Sequence, residues 1–229
     1  MSTALDSFVD KWLERWPQWL VLERFIETPQ REISRAWFSL LQEYEDIFNS
    51  AGDPTPADAK LAWWVQELHD WSRQRSRHPL AKVLQPLPIP WSTLANVLPE
   101  LIHARKQADD LQHARNILQP FAYTIADIEN TLFVNKSLSE SKNNSDVIIS
   151  QLLAHRSHIL GSAALPLAFD QINVWQEKLL DYWPSHLNNP RPRRLYATLS
   201  RLYLHAQLHR KKQSIHPLSV LWHGWRAAR

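Results

Sequence analysis

His205 and His209 stand four residues apart, and on a helix that spacing lets two imidazoles share a zinc ion. No third ligand with a suitable neighbourhood accompanies them, and the chain has no cysteine, so thiolate metal sites and disulfides are excluded. Basic residues suggest a different chemistry. Arg191, Arg193 and Arg194, followed by Arg210, Lys211 and Lys212, form two clusters that would neutralise phosphate. Asp181 is the last acidic residue, and residues 182–229 hold nine Lys/Arg and no Asp/Glu. The rest of the chain carries 17 basic and 23 acidic groups, so the overall +3 hides a strong polarity. That polarity predicts either an anionic partner at the C-terminal end or basic helices docked on an acidic N-terminal half. Glu43, Glu45 and Asp46 crowd another segment, where carboxylates are commonly the solvated side of an amphipathic helix. Serine nucleophile elbows, Walker loops and dinucleotide fingerprints are missing, as a total of three glycines would predict.

The elements that carry these residues read as helices. So few glycines leave little scope for the positive-φ turns of short hairpins, while 15 prolines punctuate the chain. Phe8, Trp12 and Trp16 lie four apart on a helix from Leu5 to Trp16. Thr28-Pro29 marks the start of a second helix running to about Ser50, with Thr28 as its expected cap. Leu61, Trp64, Val65, Leu68 and Trp71 form the stripe of a third, from Ala57 to about Ser76. His78-Pro79 begins a short helix, Pro99 splits the next, and Asp109 to Phe133 is a long one kinked near Pro120. The polar stretch 135–146 is expected to be a mobile loop. Helices follow over 146–160, 169–182, 193–213 and 217–228. No sustained period-two alternation and no internal repeat occur, so the expected architecture is one all-α domain, 1–229, a bundle of eight to ten helices. Twelve tryptophans would fill the space between helices. No apolar run reaches the roughly 18 residues of a membrane span, and no secretory signal is visible. A soluble, cytoplasmic protein is expected, with peripheral contact at an inner membrane face open to it.

From Arg35 to Leu84 the chain resembles the squalene/phytoene synthase family of head-to-head prenyl transferases. The similarity rests on Ala36-Trp37-Phe38-Ser39-Leu40-Leu41, Lys60-Leu61-Ala62-Trp63-Trp64, Glu67-Leu68 and His78-Pro79-Leu80-Ala81. Leu165-Pro166-Leu167 resembles the family's Leu-Pro element, and the tail around Leu221-Trp222 and Trp225 resembles that of short bacterial members. The resemblance implies the isoprenoid synthase fold and two acidic clusters that hold Mg²⁺ against a substrate diphosphate. Counting back from Lys60 puts the first cluster on Glu45, Asp46 and Asn49, with an amide in place of the third carboxylate. On a helix, residues 45 and 49 share a face, and 46 lies beside them. Arg35 and Trp64 fall in the implied substrate-binding region. The second cluster is missing: Gln151 to Phe169 has no Asp or Glu, and His155, Arg156 and His158 stand where carboxylates would be needed. Arg156 could bind a phosphate directly as a fixed charge.

Three readings follow. The favoured one is a catalytically degenerate relative that binds a prenyl lipid, a prenyl diphosphate or a protein partner. An assembly-factor role is one form of it, since the family includes such proteins. The second is an active, Mg²⁺-dependent prenyl transferase using Glu45, Asp46 and Asn49 with further carboxylates such as Asp127 and Glu129. The third is a basic-surface protein binding an anionic membrane or, less favoured for want of any recognition motif, nucleic acid.

Overall fold

Apolar side chains three and four apart give each segment one face that must leave water, and stacking those faces builds the protein. A computed structural model describes residues 3–134, 141–209 and 215–229, with side chains from residue 144 onward in the middle segment. In chain order the helices are α1 Ala4–Arg15, α2 Trp19–Leu22, α3 Thr28–Phe48, α4 Thr55–Trp71, α5 Ala81–Leu84 and α6 Trp91–Val97. They continue with α7 Glu100–Ala104, α8 Leu111–Phe133, α9 Ser141–Leu160, α10 Ile172–Tyr182, α11 Arg191–Leu208 and α12 Pro217–Ala228. No strand occurs among the described residues, so the fold is all-α.

α9 packs against α8, α10 and α11, while α3 packs against α1, α4, α5 and α7. One apolar core joins them, from Trp12 in α1 to Val220 in α12. Its N-terminal seam is aromatic: Trp12 meets Trp19 edge-on at 5.2 Å and Tyr196 at 5.8 Å, and Phe38 lies 4.7 Å from Tyr196. Such pairs add about 0.5–1.5 kcal/mol each beyond burial. α1 opens on a reciprocal cap, in which the Asp6 amide donates to Thr3 Oγ1 and Asp6 accepts from the Thr3 amide.

Several boundaries differ from expectation. Residues 135–140 lie outside the described residues, but 141–146 are not a loop: they form the first turns of α9. Asn144 and Ser145 are buried there with partners waiting. Gln119 donates to Ser145 Oγ at 2.6 Å, Asn189 donates to the Asn144 carbonyl at 2.8 Å, and Arg115 pairs with Asp146. α3 is preceded by Glu27 rather than capped by Thr28. α4 stops at Trp71, because the chain turns through Gln74 at φ 59° to bring the Arg77 and His78 amides back to Glu67. α8 does run to Phe133 with Pro120 inside it, as expected, and begins at Leu111 after the Asp110 cap.

The last helix docks by close approach. A Cβ on Gly224 would fall 2.4 Å from Leu22 Cδ2 and 3.1 Å from Phe25 Cε2, and Leu22 is fully buried. Gly224→Ala is therefore expected to cost about 1–3 kcal/mol through overpacking. It should also raise proteolytic sensitivity near residue 215. Unchanged thermal stability would show that α12 does not seat as described.

Candidate functional site

The helices carrying residues 45–49 and 151–158 face one another, and the space between them is already occupied by their own side chains. Glu45, buried on α3, has Oε2 2.7 Å from His155 Nδ1 on α9. His155 Nε2 lies 3.0 Å from Ser200 Oγ on α11, and that hydroxyl also donates to the Tyr196 carbonyl at 3.1 Å. Asp46 accepts from Arg15 Nη1 at 2.7 Å and from Gln42 Nε2 at 3.0 Å. Burial works against the Arg15 charge, but the hydrogen bond and charge of Asp46, helped by Glu45, outweigh it and hold its pKa above the ordinary value. Asn49 is buried, and neither its side-chain Nδ2 nor its Oδ1 has a hydrogen-bond partner.

This donor set does not fit the magnesium that the resemblance implies. A hard dication needs several free oxygens, preferably anionic. Here Glu45 is committed to a histidine and Asp46 to a guanidinium, and the facing wall presents His155 and Ser200. Among the described residues no group of three or more His, Asp or Glu could hold a metal. His205 and His209, whose rings lie 4.3 Å apart, belong to no such group. Asp127 is half-buried, and burial raises its pKa.

Arg35 forms a two-pronged ion pair with Glu23, with its Nε at 2.7 Å. Trp64 is buried against Tyr44, Trp63, Trp71 and His78, while its neighbour Trp63 is 38% exposed under the Arg77 guanidinium. Arg156 donates to the carbonyl of Phe48 at 2.6 Å and to that of Arg105 at 2.8 Å. Those carbonyls end α3 and follow α7, so the cation satisfies the negative ends of two helices. Burial, with Arg105 nearby, lowers its pKa to about 10. His78 is lowered by burial too, partly offset by Glu43 and Glu67.

Glu45, His155 and Ser200 run in the order carboxylate, imidazole, hydroxyl, as in a nucleophilic relay. A relay also needs an open approach and oxyanion donors. Ser200 is buried in the middle of α11, where backbone N–H groups are spent on the helix. The adjoining cavity, lined by Arg15, Trp16, Glu45, His155, Ser200 and Tyr203 among others, holds about 120 Å³. The array is a polar clamp joining α3, α9 and α11.

Two features escaped the sequence reading. One is the fully buried pair of Arg193 with Glu129, joined by Trp37 and Gln151. The other is a cleft of about 710 Å³ between α11, α12 and the loop after α10, containing Arg194, Arg201, Arg226, His186, His205 and His223 and lined by no carboxylate. The surplus of basic residues after Asp181 was its only signal. Arg193 alone of the C-terminal arginines docks on an acidic group among the described residues. Arg210, Lys211 and Lys212 lie outside them. Comparison with protein-family models, curated protein sequences and solved structures gives no match.

Proposed function

We propose that this chain is a squalene/phytoene synthase-like helical protein that works by binding and does not transfer prenyl groups. The observation that carries the reading is the fate of the two carboxylates at 45 and 46: one faces His155, the other Arg15. With both engaged from within, neither is left to draw magnesium onto a diphosphate leaving group. The volume beside Glu45 supports the same reading, since about 120 Å³ is well below the roughly 300–1,000 Å³ of sites for organic ligands. A prenyl chain would have to part α3 from α9 to enter. Binding at the surface, to a protein or to an anionic partner, is the form of the reading we favour, and an assembly role is one instance of it.

The rival transferase reading needs Glu45, Asp46 and Asn49 to be joined by other carboxylates, and Glu129 is held by Arg193. Purified protein incubated with farnesyl or geranylgeranyl diphosphate and Mg²⁺ is expected to release pyrophosphate no faster than buffer alone. Turnover that disappears in Glu45→Ala and Asp46→Ala would establish the transferase instead.

A further inference from the structure

α12 has three sides. Val220 and Gly224 face the core, and Ser219, His223, Arg226 and Ala227 line the large basic cleft. The third side is apolar and wet: Leu218 is 68% exposed, Leu221 44%, Trp222 56% and Trp225 38%. Positions 218, 221, 222 and 225 are one stripe of a helix, and its two indoles stack at 5.3 Å. Arg229 lies over the Trp225 ring at 3.8 Å, and Arg226 stands between stripe and cleft. Four large apolar side chains side by side on a surface call for a partner.

Charge decides which partner. The cleft beside the stripe holds Arg194, Arg201, Arg226, His186, His205 and His223, and no carboxylate lines it. Arg191 and Arg194 also donate to the Ala228 carbonyl, which fixes the end of α12 against the basic wall. Adjacent tryptophan, leucine and arginine suit the boundary between acyl chains and phosphate, where indoles sit at headgroup depth and guanidinium groups meet phosphates. Nucleic acid would use the cations and stack on the indoles, but Leu218 and Leu221 would gain nothing against a sugar-phosphate backbone. No helix among the described residues is long and apolar enough to cross a membrane, so the contact would be interfacial.

We propose that α12 and the adjoining Arg/His cleft form a docking surface for an anionic lipid bilayer, the Leu218/Leu221/Trp222/Trp225 stripe entering the interface and the cleft receiving a headgroup phosphate. A bilayer would be the anionic partner of the binding reading, on which this surface rests, and the two fail separately: pyrophosphate release would sink the reading that the chain transfers no prenyl groups and leave this surface untouched.

The test is co-sedimentation of the full chain with vesicles of phosphatidylcholine alone or mixed with phosphatidylglycerol. Binding is expected only with phosphatidylglycerol, weakening at least about tenfold as salt rises from about 50 to about 500 mM. Arg201→Glu with Arg226→Glu, and separately Trp222→Ser with Trp225→Ser, should each lower the affinity at least about tenfold while far-UV circular dichroism stays unchanged. Lipids brominated near the headgroup should quench tryptophan emission in the parent and not in the Trp222→Ser/Trp225→Ser variant. Equal binding to neutral vesicles, or no vesicle binding at all, overturns the proposal. So does binding of inorganic phosphate or duplex DNA at strengths that vesicles do not reach and the tryptophan changes do not alter.

Discussion

Arg193→Met is expected to lower the free energy of unfolding by about 3–5 kcal/mol, the cost of stranding one partner of a buried ion pair. Glu129 and Arg193 are 0% and 2% exposed. Arg193 Nε donates to Glu129 Oε2 at 2.9 Å and its Nη1 to Gln151 Oε1 at 2.8 Å, while Trp37 Nε1 donates to Glu129 Oε1 at 2.8 Å. The guanidinium also lies over Phe38 at 5.1 Å and Tyr196 at 5.7 Å. One cation thus ties together α3, α8, α9 and α11. Methionine keeps much of the apolar stem's volume, so the loss is chiefly that of charge partner and donors. Adding Glu129→Gln to Arg193→Met removes the stranded charge and still leaves an acceptor for Trp37. The double variant should therefore regain at least about half of the loss. Urea denaturation followed by circular dichroism measures it. A double variant no more stable than Arg193→Met would show that packing, not charge, makes the site sensitive.

Glu67→Ala is expected to cost about 2–3 kcal/mol, because one oxygen organises the end of α4. Glu67 Oε1 accepts from Trp71 Nε1 at 2.9 Å, the Arg77 amide at 2.7 Å and the His78 amide at 2.9 Å. Alanine would leave these donors unsatisfied and free the turn that seats His78 against Trp64. Glu67→Gln keeps the converging oxygen and gives up the charge and the Arg77 Nε contact at 3.2 Å, so its cost should be smaller. Burial raises the Glu67 pKa, but bonds from the Arg77 and His78 amides, Trp71 and the Arg77 side chain outweigh it and hold the carboxyl below its usual range. A carboxyl depressed in the folded state stabilises the protein above its unfolded value, about pH 4.3, and that contribution fades as pH falls through the folded value. Stability measured from about pH 5 down to about pH 3 should fall more steeply in the parent than in Glu67→Gln. Parallel curves would contradict the assignment.

Helices and their order were legible because tryptophan and leucine spacing is a local signal. Phe8 and Trp12 lie in α1 with Trp16 as its C-cap, and α3 and α12 begin at the Thr28-Pro29 and Pro217 signals. Polarity misled at 141–146, since Asn144 and Ser145 look like loop residues until Gln119 and Asn189 are beside them. The candidate site failed to read through for the same reason. Glu45 and His155 are 110 residues apart, and nothing near either one states that they meet. Arg156 has the charge to hold a phosphate, yet the ends of two helices claim it first. The excess of basic residues after Asp181 was visible, but only the fold separates Arg193, spent in the core, from Arg201 and Arg226 at the surface.

Titration of the protein with Mn²⁺, followed by electron paramagnetic resonance with and without a non-hydrolysable farnesyl thiodiphosphate, measures whether Glu45 and Asp46 are available to a dication. With both carboxylates engaged by His155 and Arg15, the parent should leave as much free Mn²⁺ as the Glu45→Ala/Asp46→Ala variant does. Stoichiometric metal uptake by the parent, lost in that variant, would contradict the account.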